Sequence, residues 1–216
     1  MRTTMGKSLV VASIVSLSLS LFLTACGTDE EPAAQEETTA APSENVREGL
    51  IGPGCIDYMK VIEEGDPGSF EGMAQDPVAT AASNNPVLKT LTAAVSGKLN
   101  PDVNLVDTLN GGEFTVFAPV DDAFAKLPRK TVETLGTPEG AETLTSVLTY
   151  HVVVGQLAPD KVAGTHKTVN GADLTVEGSG RPDITVGEDK SKVICGGIQT
   201  ANATVYMIDT VMMPPA

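Results

Sequence analysis

The sequence predicts an α+β domain, and two observations carry that prediction. Apolar residues recur at helical spacing through the first two thirds of the chain, whereas alternating segments punctuated by turns fill the last third. Such segregation points to helices packed on a mostly antiparallel sheet or a small sandwich, not to alternating βαβ units. A third observation sets the boundaries. An apolar leader (1–25) and a polar acidic stretch (26–49) precede the apolar, turn-rich part, so a single folded domain is expected over residues 50–216.

Residues 1–25 read as an export signal. Arg2 and Lys7 make the start basic, Ser8 to Leu23 is apolar, and Thr24 and Ala25 are small residues directly before Cys26. The run is too short and wrongly flanked for a structural membrane span. Leu23-Thr24-Ala25-Cys26 resembles a bacterial lipobox, where cleavage precedes the cysteine and its thiol carries diacylglycerol; the plainer alternative is cleavage after Ala25 and a free Cys26. The lipobox reading predicts a palmitate-bearing lipoprotein held to the cell membrane through Cys26, facing outward, with a part shed or secreted.

The stretch from Thr28 to Glu48, TDEEPAAQEETTAAPSENVRE, has almost no large apolar residue and is expected to be a disordered tether. About 24 such residues reach roughly 25 to 30 Å. Its Thr38-Thr39-Ala40-Ala41-Pro42-Ser43 segment has a mucin-like composition suited to O-linked sugar.

Charge excludes one class of partner. The 216-residue chain carries −14, and loss of Arg2 and Lys7 with the signal leaves −16. A surface so acidic lacks the basic footprint that nucleic acid requires and does not adhere electrostatically to anionic lipid. Plain solubility is the simplest meaning of the acidity. With Cys26 acylated, Cys55 and Cys195 remain as an even pair in an exported protein, which reads as one disulfide joining the two ends of the domain. Metal binding is the weaker alternative, since His151 and His166 are the only histidines in the chain.

Within the domain, Asp76-Pro77 and Asn85-Pro86 each set an N-cap residue before Pro at a first helical position. The second opens NPVLKTLTAAVSG, with Val87, Leu88, Leu91, Ala94 and Val95 on one face and Gly97 as the stop. Leu105–Leu109 reads as a short helix, and Asn110-Gly111-Gly112 turns the chain into a strand over Phe114–Phe117. Thr137-Pro138 begins another helix, on which Leu144, Val147, Leu148 and His151 share a face. Asn170-Gly171 inside KTVNGADLTVE is the strongest hairpin signal. DITVG, KVICGG and ATVYMIDTVMMPP follow as further strands, in which Met207, Met212 and Met213 read as packing residues.

Three stretches in order resemble the fasciclin-like (FAS1) domain family. FTVFAPVDDAF at Phe114–Phe124, with Asp121 and Asp122, is similar to the first signature motif; Tyr150-His151 in LTYHVVVGQL to the central Tyr-His motif; and NATVYMIDTVMMPP at Asn202–Pro215, with Asn202 and Tyr206, to the second signature. GPGCIDYM, DPVATAASNNP and VICGGIQTANATVYMIDTVMMPPA resemble mycobacterial members that are secreted and immunogenic or lipid-anchored. The resemblance implies a FAS1 fold, a seven-stranded wedge or sandwich with several short helices around it. It also implies a cell-surface role in adhesion or in contact with a host receptor or extracellular-matrix protein, without catalysis, cofactor or metal. One residue departs from the pattern: the first signature usually has Thr after the Pro, and here it is Val120.

No GxSxG elbow, Walker loop or HExxH is present in the sequence. His151 is the best candidate base, with Asp121 or Asp122 as its orienting group, yet its helical spacing sets it on the packed face. A half-buried His151 donating to a carbonyl or to a first-signature carboxylate is the structural expectation. For Asp121 and Asp122 the expectation is a cap on the short helix that follows the strand, in keeping with the apolar stripe Ala123, Phe124 and Leu127. The sequon Asn202-Ala203-Thr204 is expected to serve structure. The functional expectation is a monomeric, non-enzymatic surface protein; a carrier of a small apolar ligand or envelope lipid is the alternative.

Overall fold

The computed structural model describes residue 47 and residues 49–178 and 183–215. The expected signal, Cys26 and most of the tether lie outside the described residues.

Helices come first: α1 (Gly54–Val61), α2 (Phe70–Met73), α3 (Val78–Asn84), α4 (Lys89–Val95) and α5 (Val106–Asn110). Strand β1 (Phe114–Pro119) follows, then α6 (Asp121–Ala125), α7 (Arg129–Leu135), a 3₁₀ turn at Pro138–Gly140 and α8 (Ala141–Tyr150). The remainder is strand: β2 (Val152–Val154), β3 (Gly164–Lys167), β4 (Asp173–Glu177), β5 (Thr185–Val186), β6 (Ser191–Gln199) and β7 (Ala203–Ile208). The expected α+β segregation is therefore observed, with β1 as the strand set among helices.

All seven strands form one sheet in the order β2-β1-β7-β6-β5-β4-β3. Every pairing is antiparallel except β1 with β7, which run parallel in register from Phe114↔Ala203 to Pro119↔Ile208. The two outer strands come back together: Val153 bridges Thr168, and the Val169 N–H donates to the Val152 carbonyl at 2.7 Å. The sheet thus curls into a wedge.

Period-2 alternation gives the wedge two cores. On β1, Val116 and Ala118 face the helices while Phe117 faces the inside of the wedge; on β7, Val205 and Met207 face the helices while Tyr206 and Ile208 face inward. Phe117 and Tyr206 stack there, ring centroids 5.5 Å apart, against Leu174, Val176 and Val186 of β4 and β5. The register of β6 on β7 breaks between Val193 and Ile198. Gly196 and Gly197 make the break possible: a Cβ on Gly196 would sit 2.3 Å from the Tyr206 ring, and Gly197 has φ +76°.

Two helix starts differ from expectation. α4 begins at Lys89 rather than Val87, because the Asn85 Oδ1 accepts the Val87 N–H at 3.0 Å and holds Asn85-Pro86 in a turn. At Asp76-Pro77, Pro77 is the N-cap and Val78 the first helical residue, while the Asp76 carboxylate accepts from Asn84 Nδ2 at 3.1 Å. Gly97, at φ +78°, lies just past the end of α4 as expected.

Candidate functional site

The β1–α6 junction brings the expected acids to the surface, but not in the expected role. Val120 is the N-cap of α6 and, as valine, gives no side-chain cap. Neither acid caps α6. Asp121 Oδ1 instead accepts the Thr90 N–H at 2.7 Å, capping α4, whose own N-cap is Leu88. The Asp121 N–H donates to the Val87 carbonyl at 2.9 Å, so the junction is latched to the start of α4 from two directions. Asp122 lies exposed in the first turn of α6, where its charge complements the helix dipole.

The second signature works by the same device. Asn202 Oδ1 accepts the Val78 N–H at 2.8 Å, and Nδ2 donates to the Leu109 and Gly112 carbonyls at 2.8 and 2.6 Å. Asn110 Oδ1 takes the next amide, that of Ala79, at 3.1 Å. The first two open amides of α3, those of Val78 and Ala79, are therefore satisfied by residues far away in sequence. With both amide functions committed, the Asn202 side chain is a structural tie, as expected for this sequon.

The Tyr-His pair is structural too. His151 is 2 % exposed. Its Nδ1 bonds the Val147 carbonyl at 2.8 Å and its Nε2 bonds the Met212 N–H at 3.0 Å. One partner accepts and the other donates, so the ring is the neutral Nδ1–H tautomer. Burial depresses its pKa to about 4, against a small raising effect of the Val147 carbonyl. The expected carbonyl partner is present, and Asp121 bonds α4 instead. Tyr150 OH donates to the Asp173 carbonyl at 3.3 Å and Tyr206 OH to the Leu157 carbonyl at 2.7 Å. Burial raises the pKa of both phenols, with Glu188 and Asp189 adding to the shift of Tyr150 and Asp160 to that of Tyr206.

The Cys55–Cys195 disulfide is formed, with Cα atoms 4.8 Å apart, and ties α1 to β6. It leaves α1 flanking a groove of about 520 Å³. Across from α1 stand Pro86, Val87 and the β1–α6 junction, and Ile194 and Met207 line it as well. Asp57, Asp121 and Asp122 are its charged residues. Sequence reasoning found the two junction acids but not Asp57 or Val61, since the groove is assembled from five separate segments whose meeting no local pattern encodes.

A second space lies inside, an apolar cavity of about 50 Å³ between α3, α4, α5 and β1. Asn85, 2 % exposed, lines it, and among the described residues its Nδ2 meets the Met73 and Met207 sulfurs at 3.6 and 3.9 Å. Among the described residues, no group of three His, Cys, Asp or Glu side chains is placed to hold a metal ion.

Comparison with known proteins adds three relatives. Residues 86–214 match the family model described as Fasciclin domain. The chain is 54 % identical to "Cell surface glycolipoprotein MPB83" of Mycobacterium bovis, over 98 % of this chain and 97 % of the relative. It is 59 % identical to "Immunogenic protein MPB70" of the same species, over 77 % of this chain and 83 % of the relative. "Protein sll1483" of Synechocystis is 38 % identical over 64 % of this chain and 73 % of the relative.

Proposed function

The chain belongs to the fasciclin domain family, and from that premise we propose that it is a lipid-anchored cell-surface protein whose domain, residues 50–216, recognises a host or matrix molecule without catalysing a reaction. The observation that carries the reading is how the signature residues are used. Asn202, His151, Tyr150 and Tyr206 spend their side-chain polar atoms on the fold, and Asp121 commits its Oδ1 to the Thr90 amide. What remains for a partner is surface. The relative of near-equal length is named a cell surface glycolipoprotein, which supports the anchor at Cys26 and an exported, outward-facing position. The tether then holds a monomeric domain clear of the headgroups, and its Thr/Pro segment supplies glycan sites.

Detergent phase partitioning with Triton X-114 tests the anchor. The mature protein enters the detergent phase and Cys26→Ala stays aqueous; aqueous partitioning of both removes the anchor. Saturable binding of the Cys26→Ala protein to host cells or matrix proteins tests recognition, and its absence refutes it.

The alternative, carriage of a small apolar ligand, would have to use the cavity beside Asn85. At about 50 Å³ it is smaller than the roughly 150 Å³ apolar void known to admit benzene. Native mass spectrometry of protein taken from its own host tests it, and a ligand-free spectrum counts against it.

A further inference from the structure

We infer that the groove between α1 and the β1–α6 junction docks a cationic, aliphatic peptide segment of a partner protein. The inference rests on the surface-recognition role proposed above; it names the contact face and the chemistry of what that face takes.

The first observation is an apolar surface concentrated on one short helix. α1 buries Cys55 and Tyr58 beneath it but leaves Ile56, Met59 and Val61 exposed by 60, 38 and 70 %. Only Val154, Val169 and Met213 are comparable elsewhere among the described residues, so half of the exposed large hydrophobic side chains sit on eight residues. Of the three on α1, Val61 lines the groove, where it faces the apolar side chains of Pro86, Val87 and Val120; single exposed apolar residues are ordinary, whereas an exposed one on the wall of an open apolar groove marks a binding surface.

Rigidity is the second. The disulfide fixes α1 to β6, and a Cβ on Gly54 would lie 2.3 Å from Ile194 Cγ2, so the helix seats directly on the strand. The opposite wall is latched by the bond from Thr90 to Asp121. A face held from both sides loses little conformational freedom on binding, which favours its use as a docking platform.

Charge decides the occupant. Asp57, Asp121 and Asp122 line the groove, and Glu63 and Glu64 follow α1. Around α1, Lys60 pairs with Asp57 at 2.9 Å and Arg47 with Glu64 and Glu71; Lys89 is exposed at the start of α4, but among the described residues no cation lines the groove itself, so its three carboxylates set the sign. An anionic bilayer is repelled by this rim. A second copy docking face to face would bring the same rim against it, and the chain's own tether carries Asp29, Glu30, Glu31, Glu36 and Glu37. Lysine or arginine suits both features of the groove, laying its aliphatic stem on Val61 and Val87 while its head meets the carboxylates. Leucine or isoleucine beside it fills the apolar floor.

The test uses the mature chain carrying Cys26→Ala, which needs no detergent, and two fluorescent peptides, acetyl-Lys-Leu-Leu-Lys-Leu-Leu-Lys-amide and its counterpart with Glu for Lys. The Lys peptide gives a saturable, salt-sensitive rise in anisotropy and the Glu peptide gives none. V61K/D122K changes two exposed side chains, so the circular dichroism and melting of the variant match the parent, and its affinity for the Lys peptide falls about tenfold or more. No saturation with the Lys peptide, equal binding of the two peptides, or unchanged affinity in V61K/D122K each overturns the groove. Pelleting with phosphatidylglycerol vesicles, or self-association abolished by V61K/D122K, overturns it in favour of a membrane or of a second copy. Host-cell binding separates the two claims. Cell binding retained in full by V61K/D122K removes the groove and leaves the surface role; peptide binding without cell binding does the reverse.

Discussion

Asp121 caps a helix to which it does not belong: its Oδ1 accepts the Thr90 N–H at 2.7 Å across 31 residues, while Asp122 beside it faces solvent. The two adjacent acids of the first signature thus have unequal structural weight. One closes the start of α4, the other only adds charge to the first turn of α6.

Asp121→Ala leaves the Thr90 amide without its acceptor and lowers the unfolding free energy by about 1 to 2 kcal/mol. Asp122→Ala, at an exposed position without a bonded partner among the described residues, changes it by less than about 0.5 kcal/mol. Urea denaturation of the two variants reads the difference; equal losses would show that the cap across the junction contributes nothing particular.

Asn202 concentrates three bonds in one side chain, to the Val78 amide and to the Leu109 and Gly112 carbonyls. Asn202→Ala unties the start of α3 from the end of α5 and is expected to cost about 2 to 4 kcal/mol, in the upper range for single substitutions. Hydrogen exchange on that variant shows the loss first in the amides of Val78 and Ala79. Protection there equal to that of the parent would contradict the role assigned to Asn202.

The bridge between Cys55 and Cys195 closes a loop of 140 residues, for which the chain-entropy account gives a ceiling of about 5 kcal/mol. Both cysteines are buried, Cys195 at 0 % exposure. The paired variant Cys55→Ala/Cys195→Ala is therefore expected to lose several kcal/mol. The unreduced parent, denatured, shows no thiol reactivity at either position; two reactive thiols in that assay would remove the bridge.

What was legible in the sequence is what local rules encode. Periodicity places the faces of α8, Asn170-Gly171 lies in the loop between β3 and β4, and the cysteine count pairs Cys55 with Cys195. What was not legible depends on residues distant in the chain. The cap of α4 comes from Asp121 and the caps of α3 from Asn202 and Asn110, so neither helix start obeyed the N-cap residue beside it. β2 escaped because three valines after a helix carry no period of their own; its strand character comes from pairing with β1. For the groove, Asp121 and Asp122 were visible as a motif, but their neighbours Asp57 and Val61 are brought there by the disulfide-tied α1.

His151 gives stability a pH dependence whose sign follows from its bonds. Folded, the ring is neutral between the Val147 carbonyl and the Met212 amide, with a pKa of about 4; unfolded, it returns to 6.5. Between these values the unfolded chain binds the extra proton, so stability rises with pH. The contribution is complete above about pH 6.5 and is lost as pH falls towards 4, amounting to about 3 kcal/mol in all. Below that, a protonated Nε2 can no longer accept the Met212 N–H, and the C-terminal segment loses its tie to α8. Asp209 belongs to a different window. Burial raises its pKa, but the Lys192 amide at 2.8 Å and the bonds from Lys126 and Thr210 outweigh that and hold it below its ordinary value, so its contribution fades only at lower pH. Unfolding free energies of the parent and His151→Gln, measured from pH 7 to pH 4, are expected to converge as pH falls. A constant gap between the two curves would mean that the imidazole does not titrate on unfolding, and the neutral, doubly bonded ring would have to be given up.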